Sequence, residues 1–225
     1  MQGAFGLSVP DTVAEMCQPG AAAVLVYDAQ AGILRHVIDR DAVISRIQTV
    51  LTAARASGVP VLYTRHVSLP TAHMGVAALR TAMNWQRVGS PTAVRQAFPP
   101  EAPQTAVVAE LAPLDGEPVF DKLGMSALVD TPVTTMLRDR RLTTLVFVGA
   151  VLEIGIEPTA RHAADLGLLP VVITDACGVV EADAAQRALD SLDYTLMCYR
   201  CTTEEVVAAF RSQSGTADGA QVAGP

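Results

Sequence analysis

The chain has 225 residues, a formal net charge of −7, and a content of 50% hydrophobic and 4% aromatic residues. An acidic chain lacks the basic face that a nucleic-acid binder needs. Its longest apolar run, around residues 145–152, is far shorter than the ~20 residues that cross a bilayer. Its first residues lack the basic and apolar segments of a secretory signal. The four cysteines have no zinc-type spacing, so we interpret them as core thiols of a cytoplasmic protein.

Apolar runs and amphipathic segments alternate along the chain, with a proline-containing excursion over 67–114. Strands are predicted over 22–27, 61–64, 118–120, 145–148, 170–173 and 194–199, and helices over 41–57, 132–138, 156–166, 183–192 and 203–211. Because the strands are apolar throughout, we predict an α/β fold: a three-layer α/β/α sandwich with a mostly parallel sheet of about six strands. A single domain is predicted over 1–211, followed by a flexible, Gly-rich tail over 212–225.

Polar side chains stand at the carboxyl ends of several predicted strands, where open parallel sheets bind ligands. They are Asp28 and Gln30 after the first strand, Arg65 and His66 after the second, Lys122 after the third, and the turn 149–156 after the fourth. Any one of them could simply cap a strand and bind loop amides. Four segments that converge on one edge of the sheet favour a binding site.

Asp28 and Lys122 are the natural pair in this set. A carboxylate and an ammonium that share a semi-buried pocket perturb each other's pKa values, which suits proton transfer. A purely structural salt bridge is the competing interpretation. The turn 149–156 leads into a predicted helix, and backbone N–H groups at such a helix start can stabilise a developing negative charge.

Five stretches resemble the isochorismatase-like, or cysteine hydrolase, superfamily, and they occur in that family's order. They are VLVYDAQAGIL (24–34), PVLYTRH (60–66), VFDKLGMSAL (119–128), TTLVFVGAVLEIGIEPTARHAADLG (143–167) and VVITDACG (171–178). The resemblance implies a cofactor-free hydrolase of a small molecule. The nicotinamidases of this family carry a metal site with Asp-x-His after the second strand, whereas this chain reads Arg65-His66-Val67-Ser68 there, so we predict no catalytic metal. It also implies a homo-oligomer, either a dimer or a tetramer, and a cis peptide bond between Ala150 and Val151.

The resemblance assigns the family's catalytic Asp to Asp28 and its Lys to Lys122, while the nucleophilic Cys falls on Gly155. Without a thiol, no thioester intermediate can form. Isochorismatases proper also carry Gly at this turn, and there the Asp is thought to protonate a vinyl ether. However, the flanking residues of this chain differ from theirs. The resemblance therefore implies Asp/Lys acid–base hydrolysis of an enol ether or a related C–O or C–N bond.

Two alternatives stay open from the sequence. The chain could be a non-catalytic small-molecule-binding protein that has lost its nucleophile, or a cysteine amidohydrolase whose Cys was replaced by engineering. The candidate substrate contacts are Gln30, Arg65, His66, Trp85, Ser126, Val151, Leu152 and Glu153. Among them, Arg65 could instead form an ion pair, Glu153 could face away from the pocket, and Trp85 could belong to the core.

Overall fold

The computed structural model describes residues 1–213, and the elements are numbered along the chain. The strands are β1 (Gln2–Ala4), β2 (Leu7–Val9), β3 (Ala22–Tyr27), β4 (Val61–His66), β5 (Val119–Lys122), β6 (Thr144–Ala150), β7 (Leu169–Gly178) and β8 (Tyr199–Cys201). The α-helices are α1 (Val13–Met16), α2 (Ala31–Leu34), α3 (Arg40–Ala56), α4 (Val76–Gln86), α5 (Val133–Asp139), α6 (Glu157–Asp165), α7 (Ala182–Thr195) and α8 (Thr203–Gln213). Strands β1 and β2 form a separate antiparallel hairpin.

The main sheet has six strands in the order β5-β4-β3-β6-β7-β8, and each neighbouring pair is parallel. This confirms the predicted sandwich with a parallel sheet. The strand order reverses at β3, because β4 follows on one side of it and β6 lies on the other. In open α/β sheets, ligands bind at the carboxyl ends of the strands beside such a reversal. The end of β3 is therefore where a site is expected.

Alternate residues of β3 enter two different cores, since successive side chains of a strand point to opposite faces. Val24 and Val26 pack with the apolar side of α3 and with α8 in one core. Leu25 and Tyr27 pack with α5 and α6 in the other. The last residue of β3 thus sends a bulky side chain toward the layer that contains the turn after β6.

Strands β3 and β6 approach closely at their carboxyl ends. Tyr27 is the register partner of Gly149, and Gly149 has a φ of +115°. A Cβ at Gly149 would overlap the Tyr27 carbonyl oxygen and lie 2.7 Å from its amide nitrogen. Only glycine combines this backbone conformation with such a close approach.

The predicted last strand, 194–199, is wrong over most of its length. Helix α7 continues through Thr195, and Leu196, with a φ of +52°, ends it. Strand β8 begins only at Tyr199. Tyr194 and Leu196 are 90% and 85% exposed, so the apolar pattern that predicted a buried strand comes from surface residues. In the excursion 67–114, helix α4 and several short 3-10 turns were not predicted.

The predicted tail begins at 212, but α8 extends through Gln213. The remaining part of that prediction, 214–225, lies outside the described residues. Within residues 1–213, no helix has the length and apolar character needed to cross a membrane.

Candidate active site

Asp28 and Lys122 meet at the carboxyl edge of the sheet. Asp28 follows β3 directly, and Lys122 is the last residue of β5. The Lys122 Nζ lies 2.7 Å from Asp28 Oδ2, and the two side chains are only 1% and 5% exposed, respectively. Asp28 Oδ1 accepts a hydrogen bond of 3.0 Å from the Thr64 hydroxyl, and Lys122 Nζ donates to the Gly124 carbonyl at 3.1 Å. The ion pair is therefore buried and hydrogen-bonded on both sides.

This environment changes the acidity of Asp28. Burial raises the pKa of its carboxyl above the ordinary value, while the Lys122 ammonium and the Thr64 hydroxyl oppose that rise. Burial favours the neutral acid because a carboxylate loses its hydration in the interior. A carboxyl with a raised pKa can donate a proton at a higher pH than an exposed one. Lys122 is also the only lysine in the chain, and the other residues in its count of 16 Lys and Arg are all arginines.

Tyr27 lies against both Lys122 and the turn after β6. Lys122 Nζ stands 4.4 Å from the centre of the Tyr27 ring, a distance suited to a cation–π contact. The Tyr27 hydroxyl donates to the carbonyl of Met125. Burial, together with the neighbouring Asp28 charge, raises the pKa of Tyr27 well above its ordinary value. Tyr27 is therefore a neutral phenol held by its own hydrogen bond.

Gly155 lies in a π-helical turn, Leu152–Ile156, that connects β6 to α6. The site that a side chain at Gly155 would occupy is filled by Tyr27. An added Cβ would overlap the Tyr27 hydroxyl oxygen and lie 2.5 Å from Cζ and 2.7 Å from Cε1. Sequence reasoning missed Tyr27. Two features of the sequence could have predicted its role: Tyr27 is the last residue of a buried strand, and Gly155 stands where the family's cysteine hydrolases carry a side chain.

The amides of this turn are directed inward. The N–H groups of Ile154, Gly155 and Ile156 all donate to the Val151 carbonyl, at 3.3, 3.0 and 3.1 Å. The prediction that the turn amides polarise a substrate is therefore wrong for these three groups. The peptide bond between Ala150 and Val151 is cis, and the Val151 and Leu152 side chains are buried.

Gln30 and His66 lie at the same edge, but Gln30 is fully buried. Its amide donates to the carbonyls of His66 and Thr105, each at 2.9 Å, and its oxygen accepts from the His66 N–H at 2.7 Å. These bonds fix the end of β4. The His66 ring packs edge-on against Phe98 at 5.5 Å, and its buried Nδ1 has no hydrogen-bond partner among residues 1–213. Burial and the Lys122 charge lower the pKa of His66 to about 4.

Other candidate residues have partners of their own. Arg65 binds Asp121 through two hydrogen bonds of 2.8 and 3.0 Å. Glu153 Oε1 accepts hydrogen bonds from the N–H groups of Val180 and Glu181 at 2.9 and 2.8 Å. Its Oε2 is buried and has no partner within the described part of the chain.

Ser126 and Trp85 lie in different surroundings. The Ser126 hydroxyl lies 2.8 Å from Nδ1 of His162 and accepts the Leu128 N–H at 3.2 Å. Ser126 is partly exposed. Trp85 is 57% exposed on α4 and so does not belong to the core.

The four cysteines lie in or against the two cores of the described structure. All four cysteines are free, and burial raises the pKa of Cys17 to about 12 and that of Cys198 to about 11. Cys177 donates to the Phe147 carbonyl inside the core. Within the described part of the chain, no group of three or more His, Cys, Asp or Glu side chains is arranged to hold a metal ion.

Comparison with known proteins identifies the family. The model of the isochorismatase domain matches residues 22–205. The chain belongs to the isochorismatase family of hydrolases. Asp28, Lys122 and Gly155 all lie inside the matched segment of this isochorismatase-family chain.

Curated relatives include two ureidoacrylate amidohydrolases named RutB. The one from Methylobacterium radiotolerans is 30% identical over 153 residues, which cover 65% of this chain and 58% of that protein. The one from Pseudomonas savastanoi pv. phaseolicola is 28% identical over 188 residues, 76% of each chain. Among solved structures, a cysteine hydrolase from Pseudomonas syringae pv. phaseolicola superposes with a TM-score of 0.73 at 25% identity. That match covers 87% of this isochorismatase-family chain and 95% of the other.

Proposed function

We propose that this isochorismatase-family hydrolase cleaves a small heteroatom-substituted alkene by acid catalysis, with Asp28 as the proton donor and water as the nucleophile. The buried ion pair carries the proposal: Lys122 Nζ lies 2.7 Å from Asp28 Oδ2, and no nucleophilic side chain stands at Gly155. An acid–base pair without a nucleophile suits a reaction in which proton transfer creates the electrophile.

The reaction consumes one water. The neutral Asp28 carboxyl gives its proton to the alkene carbon remote from the heteroatom, and the alkene electron pair becomes the new C–H bond. The heteroatom stabilises the resulting oxocarbenium or iminium carbon. Water adds to that carbon and returns one proton to the Asp28 carboxylate. The adduct then breaks its carbon–heteroatom bond to give a carbonyl compound and an alcohol, amide or urea.

Lys122 has a distinct role in this scheme. Once Asp28 has lost its proton, the ammonium compensates the new carboxylate at contact distance, which stabilises the charge-separated stage of the reaction. Because Lys122 Nζ already lies 2.7 Å from Asp28 Oδ2 before the proton moves, little reorganisation accompanies proton transfer.

The names of the relatives narrow the substrate class. Three of them are ureidoacrylate amidohydrolases, a name that refers to cleavage of an amide bond, and ureidoacrylate carries a nitrogen on an alkene carbon. An enol ether carries an oxygen at the same position, so protonation of the remote alkene carbon would activate either compound. We propose substrates of this O–C=C or N–C=C type. Of the candidate contacts, we retain the partly exposed His66, whose Nδ1 binds no group of the described residues. We assign Gln30, Arg65, Ser126 and Glu153 to support, because each already has hydrogen bonds to other protein groups.

A non-catalytic binding protein is the second candidate, and the near-complete burial of Asp28 and Lys122 favours it. The overlap of a side chain at Gly155 with Tyr27 counts against a simple engineered replacement of Cys, because a cysteine there would have required a different residue 27.

The test is a turnover screen in D2O with ethyl vinyl ether, 3-ureidoacrylate and a simple primary amide. We expect hydrolysis of an alkene substrate, with one deuterium in the new C–H bond. Asp28→Asn should lower kcat/KM by ~10²–10⁴-fold. Asp121→Asn, a matched change at an exposed carboxylate on the same edge, should leave it unchanged.

Three results would contradict the proposal. Turnover without carbon-bound deuterium excludes protonation at carbon, and turnover that survives Asp28→Asn excludes this acid. No turnover of any substrate by the folded protein favours the binding protein. We further propose that the protein acts without a cofactor, because proton transfer and water supply both reacting species, and that it is a cytoplasmic homo-oligomer.

A further inference from the structure

The side chain of Tyr27 connects the two parts of the site that the sequence places far apart. On one side it fills the space above Gly155, where an added Cβ would lie 2.5 Å from Cζ. On the other side its ring faces the Lys122 ammonium at 4.4 Å. Tyr27 is 2% exposed, so its side chain is buried between the turn and the ammonium.

The segment after β5 is tied to the same residue. Lys122 Nζ donates to the Gly124 carbonyl at 3.1 Å, and the next carbonyl, that of Met125, accepts the Tyr27 hydroxyl. Two adjacent carbonyls therefore hold the ammonium and the phenol side by side. Loss of the ring would remove its contact with the ammonium, and loss of the hydroxyl would leave the Met125 carbonyl with the longer hydrogen bond of 3.5 Å from the Thr159 hydroxyl.

We propose that Tyr27 is a positioning residue that holds Lys122 against Asp28. Its side chain also occupies the space that a nucleophilic side chain at position 155 would need, so it excludes any side chain from that position. This inference rests on the proposed function for its chemical meaning. It explains why residues 27 and 155 have to be considered together: Gly155 admits the phenol, and the phenol restricts the reaction to direct attack by water. As a neutral phenol that already donates to a carbonyl, Tyr27 is not itself a nucleophile.

The first experiment measures thermal unfolding of the full chain. Gly155→Ala should lower Tm by about 5 °C or more, because the methyl group overlaps a fixed ring. In a Tyr27→Leu background, which lacks the overlapping atoms, the same change should lower Tm far less. Gly89→Ala is the matched control, since a Cβ there meets nothing within 4 Å. If Gly155→Ala fails to fold while the double variant folds, the inference is equally supported.

Two results of that experiment would overturn the inference. One is a Gly155→Ala protein as stable as Gly89→Ala. The other is an equal loss of Tm in both backgrounds, which would place the overlap elsewhere than on Tyr27.

The second experiment uses the single lysine of the chain. Incorporation of ε-¹³C lysine gives one side-chain NMR signal, that of Lys122. Its ε-protons should be shifted upfield by the Tyr27 ring and should show nuclear Overhauser contacts to the Asp28 β-protons. Those contacts should persist in Tyr27→Phe and weaken in Tyr27→Leu. Because loss of the ring current moves the lysine signal downfield in any case, the Overhauser contacts are the readout, and contacts that are unchanged in Tyr27→Leu would overturn the positioning role.

Neither experiment needs a substrate, so both still test the role of Tyr27 if the turnover screen finds no activity. Where turnover is found, Tyr27→Phe should keep the pH profile of kcat. Tyr27→Leu should lower kcat by about tenfold or more and shift that profile, because the ammonium no longer holds its place beside Asp28. An unchanged kcat and pH profile in Tyr27→Leu would contradict the positioning role while leaving the acid mechanism intact.

Discussion

Asp28 and Lys122 form a contact ion pair of 2.7 Å whose side chains are 5% and 1% exposed. Buried pairs of this kind add little net stability compared with an apolar pair, yet removing one partner is costly because it leaves the other charge without compensation. The pair is therefore a sensitive point for both activity and stability.

Lys122→Met should lower the free energy of unfolding by about 3–5 kcal/mol at pH 8, and by less at acid pH. Because burial raises the folded-state pKa of Asp28, its carboxyl binds a proton more readily in the folded than in the unfolded chain. The stability that Asp28 contributes through this proton uptake is fully present below the pKa of Asp28 in the unfolded chain. It is lost as the pH rises through the pKa of Asp28 in the folded chain. Urea unfolding between pH 4 and pH 8 measures the difference.

Arg65→Met is the matched control for this prediction. It breaks the more exposed pair with Asp121 and should cost about 1 kcal/mol or less, with little dependence on pH. A Lys122→Met protein whose loss of stability is the same at all pH values would contradict the assignment of Asp28 as the group that takes up the proton.

His66 should make the protein sensitive to mild acid. The pKa of His66 falls from 6.5 in the unfolded chain to about 4 in the folded chain. The stability that follows from this shift is therefore present above pH 6.5 and is lost as the pH falls toward 4. The shift corresponds to about 3 kcal/mol. His66→Phe should remove this part of the pH dependence in urea unfolding at pH 7.5, 5.5 and 4.5, whereas His73→Phe, at an exposed histidine, should not.

Gly149→Ala should be among the most damaging single-methyl changes in the chain. The new methyl group meets the Tyr27 backbone, which belongs to the neighbouring strand and cannot rotate away, and the φ of +115° adds strain. We expect a loss of about 3 kcal/mol or more. Gly167→Ala has a φ of +80° but open space around its Cβ, so it should cost about 1 kcal/mol. Similar losses for the two variants in urea unfolding would contradict the close approach of β3 and β6.

Gln30→Leu should lower the free energy of unfolding by about 3 kcal/mol, because it leaves backbone groups of His66 and Thr105 without partners. It should also disturb His66 and so lower any measured activity. Gln186→Leu, at an exposed glutamine whose side-chain amide donates to Asp190, is the control and should be nearly neutral. Equal chemical denaturation curves for the two variants would show that Gln30 does not hold the end of β4.

The fold could be predicted because its information is local. Apolar strands such as Ala22–Tyr27 alternate with amphipathic helices such as Arg40–Ala56, and that alternation alone indicates a covered parallel sheet. The approach of Asp28 to Lys122 followed from the same reasoning, because both residues end strands of one sheet.

The rest of the site depends on relationships that no local pattern contains. The packing of Tyr27 over Gly155 requires the register of β3 against β6. The amides of Ile154 and Gly155 point inward because they lie in a π-helical turn. The residue types in Leu152–Ile156 do not predict that kind of turn. Likewise, Arg65 faces Asp121 only because β4 and β5 pair with those two residues opposite each other.

Among the basic residues of this chain, Lys122 alone carries a primary amine. A guanidinium keeps its proton under all conditions that a protein survives, whereas an amine can release it. The arginines therefore act as permanent charges, and the one primary amine among the side chains of this chain stands where solvent barely reaches. A lysine-specific modification of the native protein would thus report whether the sheet edge has opened.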